Sequence, residues 1–260
     1  MKPKIVFFDI DGTLLNQHKK LPVSAMKAVA KLQEAGIYTA IATGRAPFMH
    51  QHIRQELGIQ SYLSYNGQYV RVGDKEIYKN PFKIQDMDHL LELAESHQHP
   101  LAYLGSEQMG ANQKNHPFIL TSFESLKHPA PAYHPHFYKE NEIYQALLFF
   151  EKEDVPTYLD DHHVFDTIQW HEHSMDVIPK GGSKAKGIHA MLSYLGIAPE
   201  EAVAFGDGLN DIEMLKFVGH GIAMGNAVQA AKEAARDVTK PVDQDGIAFG
   251  LQKLGLIPAS

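Results

Sequence analysis

The 260-residue sequence contains no cysteine, so it can form neither a disulfide nor a thiolate metal site, and it has no cysteine nucleophile. Any metal ion would have to be bound by oxygen or imidazole ligands. A chain without cysteine suits the reducing cytoplasm, which is the location that we expect for it.

The sequence also lacks a basic block and a long apolar run. Its 24 basic and 31 acidic residues give a formal net charge of -7 and are not segregated along the chain, which argues against a nucleic-acid polymer as partner. The apolar stretch near the N-terminus, residues 5–8, is too short for a signal peptide or a membrane span. We therefore expect neither a nucleic-acid nor a membrane partner.

Apolar runs alternate with segments of helical periodicity over much of the chain. Runs rich in β-branched and aromatic residues predict strands that are buried on both faces of a parallel sheet. The predicted strands are 4–10, 37–42, 61–65, 202–205 and 221–224, and the predicted helices are 24–35, 46–57, 184–195, 211–218 and 227–236. This alternation predicts an α/β fold with a doubly wound, Rossmann-like parallel sheet.

The alternation is interrupted in the middle of the chain. Helical patterns at 85–97 and 117–126 are separated there by short extended pieces and by a stretch rich in proline and histidine. The interruption is bounded by Asn-Pro and by Pro-Lys-Gly-Gly, which suit linkers. We predict a core made of residues 1–81 and 180–260, with an α+β cap inserted at 82–179.

Three predicted strands are followed directly by unusual polar residues. The sequences are Asp-Ile-Asp-Gly-Thr at 9–13, Thr-Gly-Arg at 43–45 and Gly-Asp-Gly-Leu-Asn-Asp at 206–211. Ligands of open α/β sheets bind outside the carboxyl ends of the strands. We therefore expect these three segments to form one site.

The acids in these segments suit phosphoryl transfer. A solvated aspartate has a pKa of about 3.9, so Asp9 is ionised at neutral pH and can attack phosphorus to give an aspartyl-phosphate. Strand alternation predicts that Asp11 projects to the same side as Asp9, where it could protonate the leaving oxygen and then activate water. Mg²⁺ prefers octahedral oxygen ligands, which Asp9, the backbone carbonyl of Asp11 and Asp207 could supply.

Together with Ala-Thr-Gly-Arg at 42–45 and Ser-Lys at 183–184, these motifs resemble the haloacid-dehalogenase-like (HAD) phosphohydrolase superfamily, in particular its Cof-type subfamily with an α/β cap of the C2B type. The resemblance covers essentially the whole chain. It implies Mg²⁺-dependent hydrolysis of small phosphomonoesters such as sugar phosphates, with the same roles for Asp9, Asp11 and Asp207. The phosphate-binding residues that it implies are Ile10, Thr43, Gly44, Lys184 and Asn210.

Several neighbouring residues have two interpretations. Asp211 either caps the following helix or supports the metal site from the second shell. The Asn66-Gly67 pair predicts a turn, with a substrate contact as the alternative. Arg45 suits a helix start or a salt bridge better than catalysis. The Ser-Lys pair favours Lys184 over its neighbours at positions 180 and 186 as the phosphate-binding lysine.

The sixteen histidines show no spacing that defines a zinc site, so we assign them no metal and interpret them as solvated. His171 and His173 lie shortly before the return linker and are candidates for contact with the leaving group. The neighbouring Trp170 is a further candidate, with packing inside the cap as the alternative.

Two other functions share these motifs. A phosphomutase would return the phosphoryl group from the aspartyl-phosphate to a sugar, and a regulatory module would keep the fold without turnover. The retained reactive residues argue against the regulatory module. The physiological substrate and the oligomeric state are not readable from the sequence.

Overall fold

The protein is described here by a computed structural model that covers residues 3–155, 159 and 164–258, with the backbone alone for Trp170 and His171. Its strands are β1 Ile5–Phe8, β2 Tyr38–Ala42, β3 Ser61–Ser64, β4 Tyr69–Val72, β5 Lys75–Lys79, β6 Leu101–Leu104, β7 Met109–Ala111, β8 Ala132–Tyr133, β9 Gln145–Phe149, β10 Phe165–His171, β11 Ser174–Pro179, β12 Ala202–Gly206, β13 His220–Ala223 and β14 Asp237–Val238. Its helices are α1 Val23–Glu34, α2 Gln51–Leu57, α3 Ile84–Ser96, α4 Pro117–Ser125, α5 Phe137–Glu140, α6 Lys184–Leu195, α7 Ile212–Phe217, α8 Gln229–Ala234 and α9 Gly246–Lys253.

The chain divides into two compact units. The first contains Met1–Arg45, His50–Tyr78 and Ser183–Ser260, and the second contains Ala46–Met49 and Lys79–Gly182. In the described residues, no helix combines the length and the apolar character that crossing a membrane requires.

The first unit is built on a sheet with the strand order β14-β13-β12-β1-β2-β3-β4-β5. All neighbouring pairs from β14 to β3 are parallel, and β4 joins antiparallel to β3. The predicted α/β fold with a parallel sheet is therefore confirmed. The β4–β5 edge and the C-terminal helix α9 were not predicted.

The central strand β1 is apolar because it has no solvent-facing side. All four of its residues are fully buried, and it pairs in parallel with β12 on one side and β2 on the other. The ring of Phe8 stacks on that of Phe205 with a centroid separation of 5.6 Å. Burial of such side chains stabilises the fold by about 1.5–3 kcal/mol each. The strand consequently delivers the next residue, Asp9, to the carboxyl edge of the sheet.

Local signals set the ends of helix α6. Ser183 accepts a hydrogen bond from the backbone N–H of Lys186 and so caps the first turn, which makes Lys184 the first helical residue. Gly196 ends the helix in the left-handed conformation, with φ of 66°. The predicted helix 184–195 is confirmed with the same bounds.

Two other predicted helices differ from the structure. The segment predicted as one helix over 46–57 is a 3-10 turn, Pro47–His50, followed by α2, because the backbone at His50 leaves helical geometry with φ of -117° and ψ of 11°. The helix predicted at 227–236 is limited to α8, since Ala235 is already extended as the chain leads into β14.

The second unit contains a sheet with the strand order β10-β11-β9-β6-β7-β8. Alternate residues of its strands face a hydrophobic cluster that also includes the buried face of α3. The cluster consists of Phe82, Met87, Leu90, Ala94, Leu101, Tyr103, Phe137, Tyr138, Ile143, Ala146, Leu148, Phe150, Leu159, Phe165, Met175 and Val177. The period of two in β9 is typical of a strand with one face on a core.

One candidate for contact with a leaving group packs within this second unit. The ring of His173 stacks on Phe118 with a centroid separation of 5.0 Å, and its Nδ1 lies 3.3 Å from the carbonyl oxygen of Phe150. The side chains of the other candidates, Trp170 and His171, lie outside the described residues. A role of these residues in specificity stays a prediction.

A buried histidine supports the end of β3 in the first unit. His50 is 0% exposed; its Nδ1 accepts a hydrogen bond from Arg54 Nε at 3.2 Å, and its Nε2 lies 2.9 Å from Ser64 Oγ. With Nδ1 as acceptor, we assign the proton of the neutral ring to Nε2. Burial, assisted by the charge of Arg54, lowers the pKa of His50 well below its usual value.

We expect the free energy of unfolding to depend on this histidine in mild acid. Below about pH 6.5, His50 binds a proton in the unfolded chain but not in the folded protein. The free energy of unfolding therefore falls by up to about 1.4 kcal/mol for each further pH unit, until the folded pKa is reached. Urea unfolding at about pH 7 and pH 5.5 should show a smaller pH dependence for His50→Gln than for the wild type. Gln55→Ala, at an exposed and non-titrating site on α2, should show the same pH dependence as the wild type. If the free energy of unfolding of His50→Gln depended on pH as steeply as that of the wild type, the lowered pKa of His50 would be refuted.

Candidate active site

Asp9 lies at the point where three parallel strands end. Its backbone N–H donates to the carbonyl oxygen of Phe205 at 3.0 Å, which continues the pairing of β1 with β12 by one residue. Its side chain is almost completely buried. The segments that begin with Thr43 and Asp207 follow the neighbouring strands, so the sheet brings the predicted motifs to one edge, as expected from its topology.

Asp211 fixes the loop that carries Asp207. Its Oδ2 accepts hydrogen bonds from the backbone N–H groups of Asp207 and Gly208, both at 2.9 Å. Its side chain makes no capping hydrogen bond to helix α7, so the capping interpretation is wrong. The carboxylate instead binds the loop that precedes it.

The ammonium group of Lys184 lies between two buried carboxylates. Nζ donates to Asp9 Oδ1 at 2.5 Å and to Asp211 Oδ1 at 2.6 Å, and the side chain is 0% exposed. By contrast, Lys180 pairs with Asp166 in the second unit, and Lys186 is exposed. The structure thus places Lys184, and neither neighbour, beside Asp9.

The acids of this site carry more negative charge than Lys184 balances. Burial raises the pKa of Asp9 well above its usual value, while burial and then the nearby charge of Asp211 raise the pKa of Asp207 to about 6. Burial disfavours the charged form of Lys184, but Asp211 and Asp9 reverse that effect and raise its pKa. A cation added beside these carboxylates would relieve their mutual repulsion.

The donor set fits Mg²⁺. Carboxylate oxygens of Asp9, Asp207 and Asp211 all lie within 4.8 Å of one another. Among the described residues, these three aspartates form a cluster of potential metal ligands that is close enough to bind one ion. Hard oxygen donors without imidazole or sulfur are typical of magnesium sites. The side chain of Asp11 is not a member of the group.

Gly12 and Thr13 bring the first motif close to Asp207. Thr13 Oγ1 donates to Asp207 Oδ1 at 3.0 Å. Gly12 has φ of 79°, and a Cβ at this position would overlap the carboxylate of Asp207. Only glycine combines this conformation with so close an approach. Asn226 Nδ2 then holds the Gly12 carbonyl at 2.8 Å.

The carboxylate of Asp11 is engaged in ion pairs. Arg45 binds it in a bidentate manner, with Nε to Oδ2 at 2.7 Å and Nη2 to Oδ1 at 2.6 Å, and Lys19 Nζ lies 2.6 Å from Oδ1. Burial opposes ionisation, but Arg45 and Lys19 outweigh it and lower the pKa of Asp11. The salt-bridge interpretation of Arg45 is therefore confirmed.

The argument from strand alternation does not apply to Asp11. Strand β1 ends at Phe8, and the chain turns at residues 9–13, so Asp9 and Asp11 do not share a strand. The orientation of Asp11 is set by its cationic partners instead.

The remaining predicted phosphate ligands surround the same edge. Thr43 is buried, and its Oγ1 accepts from the backbone N–H of Arg45 at 3.1 Å, which leaves its hydroxyl proton to donate. Ile10 is fully buried and its carbonyl accepts from two following N–H groups. Gly44 lies against the side chain of Asn66, and Asn66 Oδ1 accepts from Asn210 Nδ2 at 2.9 Å.

The turn predicted at Asn66-Gly67 is present as a 3-10 turn over Tyr65–Gly67. Sequence reasoning nevertheless missed the contact of Asn66 with Asn210, and also the roles of Lys19, Thr13 and Asn226. Thr13 belongs to the first motif and could have been identified from it. The others carry no local signal.

Comparison with known proteins agrees with this geometry. The family model described as haloacid dehalogenase-like hydrolase matches residues 6–251. YkrA of Bacillus subtilis (strain 168), which bears a provisional name as a phosphatase, is 45% identical over 257 residues, covering 99% of this chain and 100% of YkrA. This chain belongs to the haloacid dehalogenase-like hydrolase family.

Two solved structures of the haloacid dehalogenase-like family resemble the whole chain. The phosphatase BT1666 of Bacteroides thetaiotaomicron superposes with a TM-score of 0.89 at 30% identity, covering 98% of this chain and 96% of BT1666. The subclass IIB sugar phosphatase BT4131 superposes with a TM-score of 0.85 at 30% identity, covering 98% of this chain and 100% of BT4131. The predictions of the HAD family and of a phosphoric monoester hydrolase as enzyme class are confirmed.

We expect the removal of the buried ammonium to destabilise the fold of this family member. Lys184→Met leaves buried carboxylates without their cation, which should lower the free energy of unfolding by about 3–5 kcal/mol, measured by urea unfolding at neutral pH in EDTA. The control Lys186→Met, on the exposed side of α6, should change it by less than about 0.5 kcal/mol.

A second substitution tests whether repulsion between the buried carboxylates causes the loss of stability. Asp211→Asn in the Lys184→Met background keeps the acceptor for the loop N–H groups but removes one of the opposing charges, so it should restore part of the lost stability. Equal stability of Lys184→Met and Lys186→Met would refute the electrostatic account.

Proposed function

We propose that this protein is a Mg²⁺-dependent phosphatase that hydrolyses small phosphomonoesters, such as sugar phosphates, through an aspartyl-phosphate on Asp9. The observation that carries the proposal is the Asp9 carboxylate at the end of a buried strand, in contact with the Lys184 ammonium and within 4.8 Å of the oxygens of Asp207 and Asp211. The name of BT4131 as a sugar phosphatase supports the substrate class.

In the first half-reaction, an oxygen of Asp9 attacks phosphorus while the bond from phosphorus to the leaving oxygen breaks. Protonated Asp11 transfers its proton to that oxygen, and the alcohol departs. Asp9, the Asp11 backbone carbonyl and Asp207 would hold Mg²⁺, which supplies positive charge against the repulsion between the two anions.

The phosphoryl oxygens need donors that are already in place. We assign them to the Thr43 hydroxyl, the Lys184 ammonium and the Asn210 amide, together with the backbone at Ile10 and Gly44. Donors fixed by the fold reorganise little during the reaction, which is the main source of stabilisation for developing charge.

In the second half-reaction, ionised Asp11 takes a proton from water, and the water oxygen attacks phosphorus. The bond from phosphorus to Asp9 breaks, phosphate is released, and Asp11 is again protonated. The ion pairs with Arg45 and Lys19 favour the ionised form of Asp11, which is the form that this step requires. In the acid form these pairs must loosen.

We further propose that residues 82–179 act as the cap that selects the leaving group. The core motifs supply contacts to phosphate but few to the rest of a sugar phosphate, so recognition of the alcohol would have to come from elsewhere in the chain.

Phosphate release from a panel of phosphorylated metabolites tests the function. We expect release with Mg²⁺, loss in EDTA and recovery when Mg²⁺ is restored, and a loss in kcat of roughly 10⁴ or more for Asp9→Asn because the amide is a far poorer nucleophile. Asp74→Asn, at an exposed turn, should keep wild-type activity. Full activity in EDTA or in Asp9→Asn would refute the mechanism, and an isomerised sugar phosphate in place of free phosphate would identify a mutase.

The role of Asp11 is tested by comparing leaving groups. Asp11→Asn should slow hydrolysis of an alkyl phosphate by about 10²–10⁴-fold, the usual contribution of general acid–base catalysis. Formation of the aspartyl-phosphate from p-nitrophenyl phosphate, measured as the burst of nitrophenolate, should fall much less because nitrophenolate leaves without a proton. Equal losses for both substrates in this step would remove Asp11 from the acid role.

A further inference from the structure

The reaction described above gives no role to Asn66, although this residue lies at the same edge of the sheet. After β3 the chain turns through Tyr65, Asn66 and Gly67, whose φ values are 54°, 52° and 92°. Asparagine and glycine tolerate this left-handed conformation better than other residues do. Asn66 is only 3% exposed, so the turn directs an amide group into the protein.

Three loops meet at Asn66. The backbone N–H of Asn66 donates to the carbonyl oxygen of Thr43 at 3.0 Å, and its Oδ1 accepts from Asn210 Nδ2 at 2.9 Å. A Cβ at Gly44 would lie 3.0 Å from Asn66 Nδ2. The loops after β2, β3 and β12 therefore meet at a single residue, which contacts the first through its backbone N–H and the last through its side chain.

The same turn also packs closely against helix α6, which carries Lys184. A Cβ at Gly67 would overlap the carbonyl oxygen of Ser183, and a Cβ at Gly187 would lie 2.9 Å from the Cα of Gly67. Close packing of two glycines fixes the distance between the turn and the first turn of α6.

We propose that Asn66 is a positioning residue for phosphate: its side chain orients the Asn210 amide, while its backbone N–H holds the Thr43–Gly44 loop. The proposal rests on the proposed function, which assigns phosphate contacts to those loops. Asn210 is partly exposed and holds its amide against Asn66 Oδ1. An amide oriented in advance binds phosphate without first losing rotamer freedom.

The deletion variant is Asn66→Gly, because glycine keeps the left-handed backbone and removes the amide. Its matched control is Asp245→Gly, since Asp245 lies in the same unit outside the proposed site, is exposed and has φ of 59°. Loss of one hydrogen bond should raise the KM for p-nitrophenyl phosphate and the Ki of inorganic phosphate by about three- to tenfold. In an Asn210→Ala background, Asn66→Gly should add less than about twofold. Asp245→Gly should change neither constant.

A second measurement does not depend on activity. The side-chain amide resonances of Asn210 are the pair that disappears in Asn210→Ala. Their hydrogen exchange should be slow in the wild type and in Asp245→Gly, and faster in Asn66→Gly. Asn66→Asp keeps the acceptor oxygen and the left-handed backbone, so it should retain slow exchange and would carry this test if Asn66→Gly fails to fold.

The outcomes separate the two proposals. Unchanged exchange of the Asn210 amide in Asn66→Gly, or losses in Asn66→Gly and Asn210→Ala that simply multiply, would overturn the positioning role while phosphatase activity stands. A wild-type protein that neither hydrolyses phosphomonoesters nor binds inorganic phosphate would refute the proposed function and, with it, the role of Asn66 toward phosphate.

Discussion

One ammonium group, that of Lys184, holds the site together. It is completely buried and contacts both the proposed nucleophile Asp9 and the loop-fixing Asp211. Charges removed from water are costly unless they are paired in good geometry, so the three groups constrain one another's positions. Because Asp211 also binds the backbone N–H of Asp207, the constraint extends from β1 through α6 to the loop after β12. The positions of Asp9 and of the loop that carries Asp207 therefore depend on this one ammonium group.

The charge imbalance around that ammonium has a chemical consequence. Burial, together with repulsion among three carboxylates that share one cation, leaves the carboxyls of Asp9 and Asp207 with raised pKa values. A nucleophile must be ionised, so a site of this kind favours a second cation for activity and not merely for binding. The fold itself supplies the Lys184 ammonium, and a bound metal ion would supply the second positive charge. The Asp11 carboxylate does not need this second cation, because its charge is already balanced by Arg45 and Lys19.

The sequence predicted those features that depend on short stretches of chain. The buried strand before Asp9, the capped start of helix α6 and the polar segments at strand ends each have a local signal. The partners of side chains do not, since Asp11 meets Arg45 across 34 residues and Asn66 meets Asn210 across 144. Such contacts depend on which strands become neighbours. The segment around His50 shows the same limit, because its periodicity predicts one helix whereas the structure has non-helical backbone at His50, whose ring contacts Ser64 at the end of β3.

The central position of β1 has a consequence for how the chain folds while it is being synthesised. Thr13 and Asp207 are hydrogen-bonded although 194 residues separate them, and β1 lies between β2 and the late strand β12. One edge of this apolar strand must therefore wait for a partner until most of the polypeptide has been made. Non-local pairing of this kind folds slowly and exposes an unpaired strand in the meantime. Nascent chains of this protein should consequently depend on protection of that edge during synthesis, and no truncated chain ending before β12 could assemble the acids of the site.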